Sequence, residues 1–180
     1  MVPVRRPSPR RVVAAVQAGV GLALLPFEPQ YGLLVLGHHL LLRPVRTVTP
    51  RERLYATAAI AFHTVGVVFP EQLYRAFVWY DDVAHLLSGS LVAALLVAVL
   101  DRVVDDGRTV AAVAVLALVP IGLGWEMYEF HTPRLTVYGW NDSASDVGFN
   151  LLGGCATVVY GRLRDRLRDA GAPRPSSSAR

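Results

Sequence analysis

Apolar runs recur along this chain, separated by short gaps that carry Arg or Pro. They predict six helices, roughly 11–27, 30–43, 53–69, 82–100, 109–130 and 143–162. The gaps are Pro26 to Pro29, Arg43 to Arg53, Pro70 to Asp81, Asp101 to Arg108 and His131 to Asp142. Segments this apolar belong in a bilayer rather than on a soluble surface. The pattern therefore predicts an all-α polytopic membrane protein, six transmembrane helices in one bundle. Its expected organisation is a basic cytoplasmic tail over 1–10, a six-helix transmembrane domain over 11–163, and an Arg-rich, partly disordered cytoplasmic tail over 164–180.

Composition sharpens the picture. Of 180 residues, 53% are hydrophobic, and all eighteen basic residues are Arg. The formal charge of +4 does not point to nucleic acid, because the Arg residues sit in the gaps between apolar runs. Four lie in the amino-terminal tail, four in the second gap (Arg43, Arg46, Arg51, Arg53), two in the fourth and six in the carboxy-terminal tail, with only Arg75 and Arg134 on the other side. The positive-inside rule then puts both termini in the cytoplasm, in a cell (plasma or inner) membrane. Trp79, Trp125 and Trp140 fall at the opposite ends of the helices, near Tyr74, Tyr80, Tyr128 and Tyr138, as an outer aromatic belt would. The Arg-rich tails are expected to contact anionic lipid. Pro70 to Tyr80 fits a plain connector or a helix lying in the outer interface. Cys155, alone, excludes a disulfide framework and a Cys metal site. Val12 to Leu25 resembles a signal-peptide core, but Pro26-Phe-Glu-Pro29 stands where a cleavage pattern would, which favours a retained helix.

The candidate chemistry gathers at the outer ends. Asp82 and His85 lie three apart on the first turn of the fourth helix, with Ser88 and Gly89 extending that face inward. Glu126 and Glu129 lie near the end of the fifth helix, Glu126 roughly 25 Å along from Thr109. Asp142, Asp146 and Asn150 form a stripe at spacing four on the sixth, followed by Gly153 and Gly154, small residues that let helices approach closely.

Ordinary explanations cover part of this set. Asp81 and Asp82 suit a helix start, and Ser143-Ala-Ser-Asp146 is a capping-box pattern with Asp142 as an alternative cap. Glu126 and Glu129 escape that reading, since a helix carboxy terminus disfavours negative charge. A hydrogen-bonded network that only fixes packing is the second ordinary reading. Against it, five carboxylates (Asp82, Glu126, Glu129, Asp142, Asp146) outnumber the single imidazole of His85. A divalent cation, protonated carboxyls or a cationic ligand relieves such a surplus. The candidate metal ligands are accordingly Asp82, His85, Glu126, Glu129, Asp142 and Asp146, suited to magnesium, manganese or calcium and less to zinc. His85 and Glu126 are the candidate catalytic residues. His63 and His131 read more simply as packed or interfacial histidines, and His38 and His39 receive no role. Nothing indicates an organic cofactor.

As a set, Asp82-x-x-His85 with Gly89, Glu126-x-x-Glu129, and Asp142-x3-Asp146-x3-Asn150-x-x-Gly153 resemble the YjdF-type six-span membrane proteins of unknown function. They resemble more distantly the VanZ-like family, which has Gln where this chain has Glu129. The resemblance covers residues 78 to 156. It implies an integral membrane protein and, from the VanZ-like side, an association with glycopeptide resistance, but no catalytic role for any residue.

The expected function is an outward-facing acid and His pocket that binds a divalent cation or small ligand, with action on an envelope lipid-linked or phosphate-bearing substrate as its enzymatic form. In that form His85 is the general acid or base and the cation polarises phosphate or activates water. An ion- or proton-coupled transporter and a purely structural bundle are the alternatives. Acids confined to one leaflet, without an inverted repeat, weigh against alternating access.

Overall fold

The computed structural model describes residues 8–26, 29–42, 50–132 and 139–171. Arg5, Arg6, Arg43, Arg46, Arg134, Tyr138 and the last nine residues lie outside them, as do the side chains of His38 and His39. Among the described residues every regular element is helical: α1 (Pro9–Leu24), α2 (Pro29–Leu42), α3 (Pro50–Val68), α4 (Pro70–Leu73), α5 (Trp79–Leu100), α6 (Gly107–Leu116), α7 (Leu118–Phe130) and α8 (Trp140–Gly171).

Among the described residues, two stretches are long and apolar enough to cross a membrane, Trp79–Leu100 and Gly107–Phe130. α1 and α2 are apolar but short; the 14 residues of α2 extend only about 21 Å, against a hydrocarbon layer of about 30 Å. α3 begins on Arg51-Glu52-Arg53, and α8 runs out through Arg162 to Asp169. Leu22, Leu33, Leu40, Val99, Leu116, Phe130 and Leu152 all point outward from the bundle. A water-facing surface would not tolerate so many, whereas lipid tails would.

Several boundaries differ from those the sequence predicts, each for a local reason. The expected fifth helix is two, interrupted at Ala117, because Pro120 has no N–H to return to the Leu116 carbonyl. Only a single turn of helix, Pro70–Leu73, forms in the connector before α5, in place of an interfacial helix. α5 begins at Trp79, so Asp81 and Asp82 lie inside its first turn rather than capping it, and its N-cap, Val78, offers no side-chain cap. α8 begins at Trp140, and the Ser143 N–H bonds the Gly139 carbonyl, so the predicted Ser143 capping box is absent. Gly139 instead enters the helix at φ 114, where a side chain would be strained.

α5 and α8 make the most intimate contact. Gly89 abuts the backbone of Asn150, and Gly153 abuts the Leu86 carbonyl, so neither position has room for a Cβ. That closeness lets Ser90 Oγ donate to the Leu86 and Gly153 carbonyls at 2.9 and 3.1 Å, and Thr157 Oγ1 donate to the Ser90 carbonyl at 3.2 Å. In lipid, where apolar surface gains nothing by leaving its solvent, such packing and hydrogen bonding supply the association energy. α3 joins through Tyr80, whose hydroxyl donates to the Phe62 carbonyl at 2.6 Å while its ring stacks on Phe62 at 4.2 Å. A core of Val35, Ala56, Ile60 and Leu91 ties α2 and α3 to α5.

Candidate metal centre

Residue numbers rise together along the α5–α8 contact, from His85 beside Asn150 to Ser90 beside Thr157, so these two helices run parallel. Their amino-terminal turns therefore meet, with Asp81 and Asp82 in the first turn of α5 and Asp142 in that of α8. α7 brings its carboxy-terminal end to the same place with Glu126 and Glu129. Two helix amino termini favour negative charge there, while the end of α7 opposes it.

His85 is the centre. Only 1% of it is exposed. Its Nε2 lies 3.4 Å from Asp81 Oδ1 and 3.9 Å from Asp146 Oδ1, and among the described residues no partner reaches Nε2 in hydrogen-bonding geometry. Ligand atoms of Asp81, His85 and Asp146 lie within 4.8 Å of one another, as do those of His85, Glu126 and Glu129. Glu126 is 6% exposed, yet neither carboxylate oxygen has a hydrogen-bond partner among the described residues. Ser143 interacts with it from α8, but not in hydrogen-bonding geometry.

A buried acid that touches an imidazole directly would sit at about 2.7–2.9 Å. Ligands across a calcium ion, at about 2.4 Å each, stand about 4.8 Å apart, and those around magnesium at about 2.1 Å are closer. The spacing here falls in the second range. Asn150 completes the arrangement: its amide nitrogen is 3.1 Å from His85 Nδ1. With the amide N–H donating to Nδ1, the imidazole proton is on Nε2 and faces the acids. With the amide turned, Nδ1–H donates to the amide oxygen and the Nε2 lone pair faces them, which is the form a cation requires.

Of the sequence-predicted ligands, His85, Glu126, Glu129 and Asp146 come together. Asp82 does not join either triad; its carboxylate faces Ser145 Oγ at 3.5 Å across to α8. Asp142 is half-buried at the edge of the group and belongs to neither triad. Asp81, which the sequence reading assigned to helix capping, takes the place expected of Asp82. Its spacing of four from His85 put it on the same face, but that spacing does not separate it from Asp82 at three.

His63 is buried, with Nδ1 3.3 Å from Ser88 Oγ and its ring 6.2 Å from that of His85. Its ring also meets Trp125 edge-on at 5.1 Å. Trp125 thus turns into the bundle and does not join the expected belt, whereas Trp79 and Trp140 stay exposed. His131 is exposed and pairs with the Met127 carbonyl at 2.6 Å, away from the cluster.

Fold and site define an all-helical membrane protein with buried acids around one histidine. The chain belongs to the DUF2238 family, described as predicted membrane protein, whose family model matches residues 13–166. No curated protein and no solved structure matches it.

Proposed function

We propose that this protein binds a divalent cation through Asp81, His85, Glu126, Glu129 and Asp146. The observation that carries the reading is Glu126, buried with both oxygens lacking hydrogen-bond partners among the described residues, beside a histidine whose Nε2 faces two further acids at cation-ligand spacing. Burying such groups without partners is costly, and a cation would satisfy them together. Oxygen donors with one imidazole suit manganese, magnesium or calcium better than zinc. A purely structural network would be expected to close its hydrogen bonds instead.

The same proposal has the chain span a plasma or inner membrane six times, with cytoplasmic termini, Arg tails on anionic lipid and the cation site toward the outer face. The distribution of Arg supports that orientation. The motif order also supports equating this family with the YjdF-type proteins.

The test is thermal stability of the detergent-purified protein after chelation and after reloading with Mn²⁺. Binding at a hundred times Kd stabilises by about 2.7 kcal/mol, so reloading is expected to raise Tm in the wild type and to raise it clearly less in Glu126→Gln. Without metal, Glu126→Gln is expected to be as stable as the wild type or more so, because it removes one of several crowded negative charges. A less stable metal-free variant, with no Mn²⁺ effect in either protein, would establish the structural network instead.

A further inference from the structure

A partly open cavity of about 150 Å³ lies directly against the cluster, lined from α3, α5, α7 and α8. Its far walls are apolar, formed by Ala59 and Ile60, by Leu91 and Val92, and by Leu118 and Ile121. His85 and Asn150, with His63 and Ser88, supply its polar lining. The imidazole that faces Asp81 and Asp146 with Nε2 therefore also forms part of the cavity wall, and one ligand can touch both regions.

The two regions ask for different chemistry. A space of this size and lining holds a few carbon atoms, since a comparable apolar cavity takes up benzene. The cluster is strongly acidic, so it repels an anion unless a cation intervenes. Carboxylates and an imidazole from three helices would hold such a cation on one side, leaving positions for oxygens from a ligand, as cations of this class accept from phosphates.

We infer that the site takes a single-chain alkyl or prenyl phosphate, the first carbons of its chain in the cavity with the rest leaving through the open side, and its phosphate on the bound cation. This rests on the cation-binding reading above and adds the ligand class. Its signature is conditional binding: the chain alone gains little, and the phosphate alone is repelled when no cation is present.

Trp125 lines the cavity and reports on it. In the full-length protein carrying Trp79→Phe and Trp140→Phe, Trp125 is the one tryptophan left, and a brominated chain quenches it only on contact. The probes are brominated dodecyl phosphate and the same chain on an uncharged maltoside, each with Mg²⁺ and after chelation. Dodecyl phosphate is expected to quench Trp125 at least tenfold more tightly with Mg²⁺ than without, and more tightly than the maltoside. Ala59→Leu and Val92→Phe, which fill the cavity, are expected to abolish quenching while retaining Mn²⁺ binding; two variants guard against one that misfolds.

Quenching that ignores both Mg²⁺ and headgroup would overturn the inference and make the cavity a slot for bilayer lipid. Metal-dependent phosphate binding that survives both filling variants would overturn the role of the chain. Absence of Mn²⁺ binding in the wild type would instead remove the underlying cation site, a separate readout from quenching.

Discussion

A shift of one residue decides which aspartate reaches the histidine. On a helix with 3.6 residues per turn, Asp82 sits about 60° to one side of His85 and Asp81 about 40° to the other. Both share its face, so spacing alone does not choose between them. The contact with α8 chooses, by turning Asp82 toward Ser145 and leaving Asp81 beside Nε2. Glu126 and Glu129 were legible in the sequence because each is an acid near a helix carboxy terminus with no ordinary use for its charge, and His85 and Asp146 because each lies on a polar stripe leading into an apolar run, although Asp146 also fitted a capping box. Asp81 was not, because its rotation is a property of the helix pair. The expected outcome is that Asp81→Asn weakens Mn²⁺ binding about tenfold or more, while Asp82→Asn changes it less than about threefold. Titration of both purified variants checks this, and equal effects would contradict the geometry.

Among the elements, the α5–α8 pair carries the site, since it supplies His85, Asp81, Asp146 and Asn150. Small residues at Gly89 and Gly153 were readable as a packing signal, but not which backbone each would meet. Gly89→Ala must displace the Asn150 backbone, and overpacking of this kind costs about 1–3 kcal/mol. A lowered Tm is expected, together with weaker Mn²⁺ binding, because Asn150 orients His85. Gly148, two residues before Asn150 and with open space around it, provides the contrast: Gly148→Ala is expected to leave Tm unchanged or raise it slightly.

At the opposite end of the bundle, Asp106 caps α6. The Thr109 hydroxyl and the backbone N–H groups of Arg108 and Thr109 donate to its carboxylate and hold its pKa below the ordinary value. A depressed folded-state pKa means that the cap's contribution is present above the unfolded value of about 3.9 and is lost as pH falls through the lower folded one. Protection of the α6 amides from hydrogen exchange at neutral pH is expected to fall in Asp106→Ala, and the wild type should approach the variant on acidification. The break at Ala117 was likewise written in the sequence, at Pro120, although the apolar run around it reads as continuous.

For the whole molecule, the all-helical class was legible because apolar runs with Arg-bearing gaps permit little else. The number of crossings is a harder matter: α1 and α2 are short, and α3 and α8 carry charge at one end, so their placement depends on neighbours rather than on their own hydropathy. The proposed orientation is checked by single cysteines in a Cys155→Ala background. Trp140→Cys, at an exposed position, is expected to label with an impermeant thiol reagent from outside intact cells, and Arg166→Cys only after the cells are opened. The reverse pattern would invert the site relative to the membrane.

All of this turns on whether the buried acids around His85 hold a cation. The most direct measurement is Mn²⁺ titration of the metal-free, full-length protein, followed by loss of the electron paramagnetic resonance signal of aqueous Mn²⁺. The wild type is expected to remove that signal, and Glu126→Gln to require at least about ten times more protein to do so. An unchanged aqueous signal with the wild type, or identical titrations for both proteins, would contradict the cation site.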